Sequence, residues 1–281
     1  MKVSSLGNKT DPTLMLLPGT CCHWKSNFAP VLPLLEPHFH VLCVSYDGFD
    51  ETEADATFPT MEEEAAKIEA YINENLGGHL HAAYGCSLGG SFVGLLAARQ
   101  NIRLEIGILG SSDLDQASPF VAKLETDIAL PLIYPVVRDG RFKSKLLNKK
   151  MEKRKQEMPG YVDKFMEIMG GARPYVSMQS CKNQFYSDMI TPLPDHWDGP
   201  TAIHIFYALK MGEKYRARYA QHSSKRSACK NQKEPERPMH LHRPFVVSIL
   251  PEMMQLLFQL VIAAQIADVP PVGREQPGVF R

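Results

Sequence analysis

A serine in a short, glycine-framed turn is the residue of this chain best suited to chemistry. Residues 81–92 contain Gly85, Ser87 and Gly89 in a Gly-x-Ser-x-Gly motif. Apolar residues before the motif predict a strand, and residues from about 88 to 100 predict a helix, which is the context in which a sharp turn exposes the serine hydroxyl. Glycine at both flanking positions leaves room for strand and helix to cross closely. The motif therefore predicts Ser87 as a nucleophile.

The same turn predicts a place where negative charge is stabilised. The helix that starts after Ser87 directs backbone N–H groups and the positive end of its dipole towards one point. Such an arrangement suits an oxyanion that develops when an acyl group is attacked. The motif presents its central residue, so we expect the chemistry at Ser87, with Cys86 serving as a small residue beneath the turn.

The elements around the motif predict a parallel sheet. Strand and helix alternate from residue 14 to residue 111, and each predicted strand is a continuous apolar run, which is typical of parallel strands buried on both faces. Thr60 is predicted to cap a helix that has acidic residues in its first turn and ends at Gly77. Strands are predicted at residues 14–17, 40–46, 104–109 and 201–207, with a short helix at 28–35 that is interrupted by Pro30 and Pro33.

The pattern changes between residues 113 and 197, which contain helical stretches and scattered prolines. An excursion of about 85 residues between two strands of one sheet predicts a lid over the active site, one of the few reasons for so long a connection. The basic residues concentrated in 138–155 are interpreted as a solvated helix face rather than as a binding site for anions.

Composition excludes several classes of protein. The 281 residues include 31 basic and 31 acidic side chains, so the net charge gives no indication of nucleic acid or of an anionic membrane as partner. The six cysteines lack paired metal-ligand spacing, which predicts reduced thiols in a cytoplasmic protein and no metal site. No phosphate-binding loop is present, so no nucleotide cofactor is expected. Apolar residues 245–267 are interrupted by Pro251 and Glu252, which favours a buried helix over a membrane span.

Three stretches together resemble the α/β-hydrolase superfamily, in the branch that has a helical cap. Residues 85–89 match its nucleophile elbow. The run Leu17-Pro18-Gly19-Thr20, followed by His23 and Trp24, resembles its oxyanion loop, which usually has His-Gly where this chain has Pro-Gly. Residues 31–49 resemble the segment that leads to the family's Asp-x-x-Gly-x-Gly turn. The resemblance is good over residues 12–112 and fair over 199–215.

This resemblance implies an architecture for the whole chain. The fold class is α/β, a mostly parallel sheet with helices on both faces. Residues 1–112 and 198–267 form the discontinuous core, residues 113–197 the helical cap, and residues 268–281 a flexible tail. Relatives begin with a hairpin before the oxyanion strand, for which about a dozen residues leave little space, so a more exposed sheet edge is expected.

The resemblance also implies a reaction. Ser87 would attack a small ester, thioester or amide and form an acyl-enzyme, without a cofactor. The oxyanion would be held by the backbone N–H of Leu88 and by that of Thr20 or Cys21. In the family the residues after the oxyanion turn contact substrate, which assigns substrate binding to His23 and Trp24.

The family uses a catalytic triad in which serine, an acid and a histidine follow one another along the chain, and this order assigns the acid and the base here. The loop after the strand that follows the cap offers Glu213 as the acid, with Asp113 and then Asp115 as alternatives. Counting back from the start of the last predicted helix gives His242 as the base, with His240 next. Residues 223–233 lack the strand and glycine turn that the family has near its histidine. The alternative function is therefore a hydrolase-fold protein that binds a small molecule and has a degraded triad.

Overall fold

Six strands form one sheet at the centre of the part of the chain that the structure describes. In order across the sheet they run β1-β3-β2-β4-β5-β6. Strand β1 is antiparallel to β3, and the other pairings are parallel. The predicted mostly parallel sheet is confirmed. The strands are β1 (Lys2–Leu6), β2 (Thr13–Leu17), β3 (His40–Ser45), β4 (His79–Cys86), β5 (Arg103–Gly110) and β6 (Ala202–Phe206). This computed structural model describes residues 1–110, 112, 116–157, 160–168, 173–194 and 199–206.

Strand β1 is the element that the sequence did not predict. Its residues read Lys-Val-Ser-Ser-Leu, too polar to form an apolar run. It forms because β3 would otherwise leave an unpaired edge, and β1 pairs with it from Lys2 opposite Ser45 to Leu6 opposite Val41. The space before β2 therefore holds one strand, which protects the edge that was expected to be exposed.

Helices connect the strands and fill the interval between β5 and β6. The predicted interruption at Pro30 is confirmed, because two short helices, α1 and α2, lie on either side of it. The first helix begins earlier than predicted, at Trp24, and Pro33 lies within the second helix without interrupting it. Pro30 separates them, since proline has no N–H to donate to the preceding turn. In the described residues the α-helices are α1 (Trp24–Phe28), α2 (Leu32–Leu35), α3 (Met61–Leu76), α4 (Leu88–Arg99), α5 (Pro119–Asp139), α6 (Lys145–Glu157), α7 (Tyr161–Ile168) and α8 (Met178–Ile190).

The prediction for α3 is confirmed at both ends. Thr60 is the N-cap, and its hydroxyl oxygen accepts from the N–H of Glu63 at 3.2 Å. The same hydroxyl donates to the Glu63 carboxylate at 3.1 Å. Gly77 ends the helix in the left-handed conformation, at φ 63°. Local side-chain chemistry therefore fixes the residues at which this helix begins and ends.

Replacing Thr60 by alanine should lower the free energy of unfolding by about 1 kcal/mol, because the N–H of Glu63 loses its acceptor. Urea denaturation followed by circular dichroism measures this loss. Thr60→Ser keeps the hydroxyl and should unfold at nearly the urea concentration of the unaltered protein. Equal midpoints for the alanine and serine variants would contradict the capping role.

The strands are buried on both faces by two separate groups of helices. Along β2, Met15 and Leu17 point into one apolar cluster, whereas Leu14 and Leu16 point into the other. Residues of α3 and α4 belong to the first cluster, and residues of α1 and α2 to the second. Side chains of a strand alternate between faces, so continuous apolar runs are what a sheet covered on both sides requires.

Helices α5 to α8 form a helical insertion between β5 and β6, and α8 fastens it to the core. The Ser180 hydroxyl accepts from the N–H of Phe58 at 3.2 Å, and the Asn183 amide donates to the carbonyl of Phe58 at 2.7 Å. Both bonds join α8 to the connection before α3. Among the described helices, none combines the length and the apolar character needed to cross a membrane.

Candidate active site

Ser87 occupies the sharp turn between β4 and α4. Its φ of 53° and ψ of −119° lie in a region of backbone conformation that residues other than glycine rarely adopt. The N–H of Ser87 donates to the carbonyl of Gly110 at 2.8 Å, which ties the turn to the end of β5. Strain of this kind persists only where the surrounding structure imposes it, and it is concentrated at functional sites. The serine side chain is partly exposed at the carboxyl end of the sheet.

Glycines make this turn possible. A Cβ atom on Gly85 would lie 1.9 Å from the carbonyl oxygen of Gly89. A Cβ atom on Gly89 would lie 2.0 Å from the carbonyl oxygen of Leu17, in the neighbouring strand β2. These are backbone atoms that cannot rotate away. The two glycines of the motif are therefore required for close packing of β4, α4 and β2, as the sequence predicted.

A second turn lies beside Ser87, at residues 19–22 after β2. A Cβ atom built on Gly19 would be 3.7 Å from the Cβ of Ser87. The N–H of Cys22 donates to the carbonyl of Gly19 at 3.1 Å, which closes a four-residue turn. Its third residue, Cys21, has a φ of 55°. Glycine usually takes this position in such turns.

Three of the four N–H groups of this turn already have acceptors. The N–H of Gly19 donates to the Asn27 side chain at 2.9 Å, and that of Cys22 closes the turn. The N–H of Cys21 donates to Oε1 of Gln184, on α8, at 2.6 Å. Within the described residues this leaves Thr20 as the donor still available beside Ser87.

Two aromatic side chains support the turn from below. The Tyr46 hydroxyl donates to the carbonyl of Pro18 at 3.1 Å, in the interior of the protein. The Tyr46 ring stacks on Phe92 of α4, with ring centroids 4.9 Å apart. Helix α4 therefore begins directly after Ser87 and, about one turn later, packs through Phe92 against Tyr46, the residue that bonds to the neighbouring turn.

Buried thiols surround this region and are poor nucleophiles there. Burial raises the pKa of the Cys22 and Cys86 thiols. The pKa of Cys21 is raised by a hydrogen bond with Cys181 and by burial. A protonated thiol is a poor nucleophile, so these cysteines are not suited to nucleophilic chemistry.

His23 takes part in local structure. Its Nδ1 accepts from the N–H of Lys25 at 3.2 Å, capping α1, and its Nε2 lies 3.2 Å from the Ser45 hydroxyl. Burial lowers the pKa of His23, while the Asp50 carboxylate opposes that effect. Trp24 packs into the apolar cluster beneath α1 and is 8% exposed. Both ring nitrogens of His23 therefore have polar partners within the protein, and most of the Trp24 surface is buried against other side chains.

The structure brings together Ser87, Leu88 and the turn that contains Thr20 and Cys21. The N–H of Leu88, as the first residue of α4, has no partner within its helix. The residues assigned to the acid and the base lie outside the described residues. These residues are Glu213, Asp113 and Asp115 for the acid, and His242 and His240 for the base.

Sequence reasoning missed three side chains that bond to the turn at residues 19–22 or to the residue before it, namely Asn27, Tyr46 and Gln184. Asn27 follows the turn by only a few residues in the chain, so a contact between its side chain and the turn could have been considered from the sequence. Gln184 is 163 residues from its partner Cys21. No local pattern indicates such a contact.

Comparison with solved structures agrees with the described fold. An α/β hydrolase family protein from Desulfitobacterium hafniense superposes with a TM-score of 0.59 at 16% identity, covering 78% of this chain and 86% of that one. A thermophilic esterase from Thermogutta terrifontis gives 0.54 at 19% identity, covering 78% and 80%. The 2-hydroxy-6-oxo-6-phenylhexa-2,4-dienoate hydrolase of Rhodococcus sp. strain RHA1 gives 0.53 at 18%, covering 78% and 82%.

By sequence, no family model and no curated protein matches this chain. The likeness therefore lies in the three-dimensional arrangement. It shows that the chain has the α/β-hydrolase fold, as the motifs predicted.

Proposed function

We propose that this chain is a serine hydrolase that cleaves a small ester, thioester or amide. The observation that carries the proposal is the strained Ser87, held beside a turn in which the N–H of Thr20 is available. A serine at such a position has its hydroxyl exposed and two backbone donors within its surroundings. The proposed oxyanion donors are the N–H groups of Leu88 and Thr20.

The proposed reaction has two stages. In the first, Ser87 Oγ forms a bond to the acyl carbon, a histidine accepts the hydroxyl proton, and the same histidine returns it to the leaving group as the scissile bond breaks. In the second, the histidine accepts a proton from water as the water oxygen bonds to the acyl carbon, and the proton passes to Ser87 Oγ as its bond to that carbon breaks and the acid product departs. His242 is proposed as the histidine and Glu213 as its partner, with His240 and Asp113 as the alternatives.

The solved structures support hydrolysis as the reaction class. They include an esterase and a hydrolase of a dienoate, at low sequence identity. Proteins of one fold carry out many reactions, so these names favour a class rather than a substrate. We propose further that α5 to α8 act as a cap at the edge of the sheet where Ser87 lies, because α8 bonds to the turn beside it.

Covalent labelling tests the proposal. A fluorophosphonate probe should label the protein, because it phosphonylates serines that are activated as nucleophiles. Ser87→Ala should abolish labelling. Ser91→Ala is the matched control, since Ser91 lies one turn further along α4, is 1% exposed and has a hydroxyl with no hydrogen-bond partner in the described region. It should label like the unaltered protein.

Two further variants identify the base. His242→Ala should abolish labelling if His242 is the base, whereas loss in His240→Ala alone would move the role to His240. A folded, unaltered protein that does not label would contradict the proposal. That result would favour the alternative, a binding protein with this fold.

A further inference from the structure

The conformation of Cys21 is unusual and needs an external cause. Cys21 is a non-glycine residue with a φ of 55°, at the third position of the turn that presents Thr20. A side chain at such a φ is strained, and the conformation persists where neighbouring groups impose it. The side chains that bond to Cys21 belong to one part of the chain, the helical insertion between β5 and β6.

Three residues of the insertion form hydrogen bonds with Cys21. Gln184 Oε1 accepts from the N–H of Cys21 at 2.6 Å. The Arg173 guanidinium donates to the carbonyl oxygen of Cys21. The Cys181 thiol shares a hydrogen bond with the Cys21 thiol. Gln184 and Cys181 are 0% exposed and Arg173 is 5% exposed, so water does not compete for these contacts.

These contacts fix both peptide planes at Cys21. The N–H of Cys21 belongs to the peptide that joins it to Thr20, and the carbonyl belongs to the peptide that joins it to Cys22. Because the N–H and the carbonyl of Cys21 are both hydrogen-bonded, the turn is held in the conformation in which Cys21, its third residue, has a positive φ. The direction of the Thr20 N–H depends on this lock, because one Cα atom separates that N–H from the Thr20–Cys21 peptide.

We infer that Gln184 and Arg173 are positioning residues that set the second oxyanion donor through their grip on Cys21. This inference rests on the proposed function. It makes the insertion a working part of the active site, since the insertion then determines the geometry of transition-state stabilisation. An oxyanion donor is effective only when its N–H points at the place where the charge develops.

The competing explanation is that these contacts only attach α8 to the core, and the chain offers a matched control for it. Asn183, the neighbour of Gln184, also bonds from α8 to a core backbone group, the carbonyl of Phe58, but does not touch the turn. If a residue only attaches the helix, its substitution should lower the stability of the protein and leave kcat unchanged, as we expect for Asn183. Substitution of a positioning residue should in addition lower the rate of the chemical step.

The experiment compares kcat and KM for p-nitrophenyl acetate with unfolding in urea. Gln184→Met keeps the length of the side chain and removes the acceptor, and we expect kcat to fall about 10- to 100-fold, the effect of a small misplacement of catalytic groups. KM should change little. Gln184→Glu retains an acceptor for the Cys21 N–H and should recover most of the lost kcat. Asn183→Ala should lower stability with kcat unchanged.

Arg173→Met is the second variant and should lower kcat in the same direction, because it releases the carbonyl of Cys21. The Arg173 variant tests the inference if Gln184→Met does not fold. Folded Gln184→Met or Arg173→Met with the kcat of the unaltered protein would overturn the inference alone. An unaltered protein without turnover that depends on Ser87 would instead remove the proposed function, and the inference with it.

Discussion

Replacing Ser87 by alanine is expected to lower kcat for p-nitrophenyl acetate by about 10⁴-fold or more, which is the usual consequence of losing a catalytic nucleophile. In the proposed reaction the Ser87 hydroxyl forms the bond to the acyl carbon, and the turn presents no other group that could replace it. A small residual rate should remain, since the N–H groups of Leu88 and Thr20 still polarise a bound carbonyl. Steady-state kinetics on both proteins measures the change.

Stability must be unaffected for this result to be interpreted. Alanine and serine meet the same strain at φ 53°, so the urea midpoint of Ser87→Ala should match that of the unaltered protein. Ser91→Ala provides the kinetic control and should keep full kcat. A folded Ser87→Ala variant that retains more than a tenth of the original kcat would place the nucleophile elsewhere.

Replacing Gly89 by alanine should lower the free energy of unfolding by about 4 kcal/mol or more, an exceptional loss for one methyl group. The added Cβ would lie 2.0 Å from the carbonyl oxygen of Leu17 and 2.9 Å from that of Pro18. Relief requires α4 to separate from β2, which opens the apolar cluster between them. Urea denaturation, or the soluble yield if the variant does not fold, reports the effect.

Gly77→Ala is the matched control for Gly89→Ala. Gly77 has a φ of 63°, and a Cβ atom there would meet nothing within 4 Å. Its substitution costs only the strain of a left-handed residue, about 1 kcal/mol. Equal losses for the two variants would show that steric contact at the elbow is not what makes Gly89 necessary.

The elements with local signals were predictable from the sequence. Helix α3 begins and ends where Thr60 and Gly77 indicate, because capping uses only neighbouring residues. The strand, turn and helix around Ser87 follow from a local motif, in which Gly85 packs directly against Gly89, four residues further along the chain. Continuous apolar runs identified the central strands, because a strand that is buried on both faces has apolar side chains at successive positions instead of alternating polar and apolar ones.

Features that depend on distant partners were not predictable. Strand β1 takes its structure from pairing with β3, about 40 residues further along the chain by the register of Lys2 with Ser45. The contact of Gln184 with Cys21 spans 163 residues. The acid and base predictions, Glu213 and His242, rest on counting from family landmarks, and they remain predictions for the experiments above.

The hydrogen bonds from α8 bear on how this protein could be re-engineered. Exchanging helical segments between proteins of this fold would seem a direct way to change specificity. Here, excision of residues 116–194 would strip the N–H and carbonyl of Phe58 and the N–H of Cys21 of their partners. Each buried group left in this way costs about 1–3 kcal/mol. A graft from another protein would therefore have to bring its own equivalents of Ser180, Asn183 and Gln184, so the segment is not an interchangeable module.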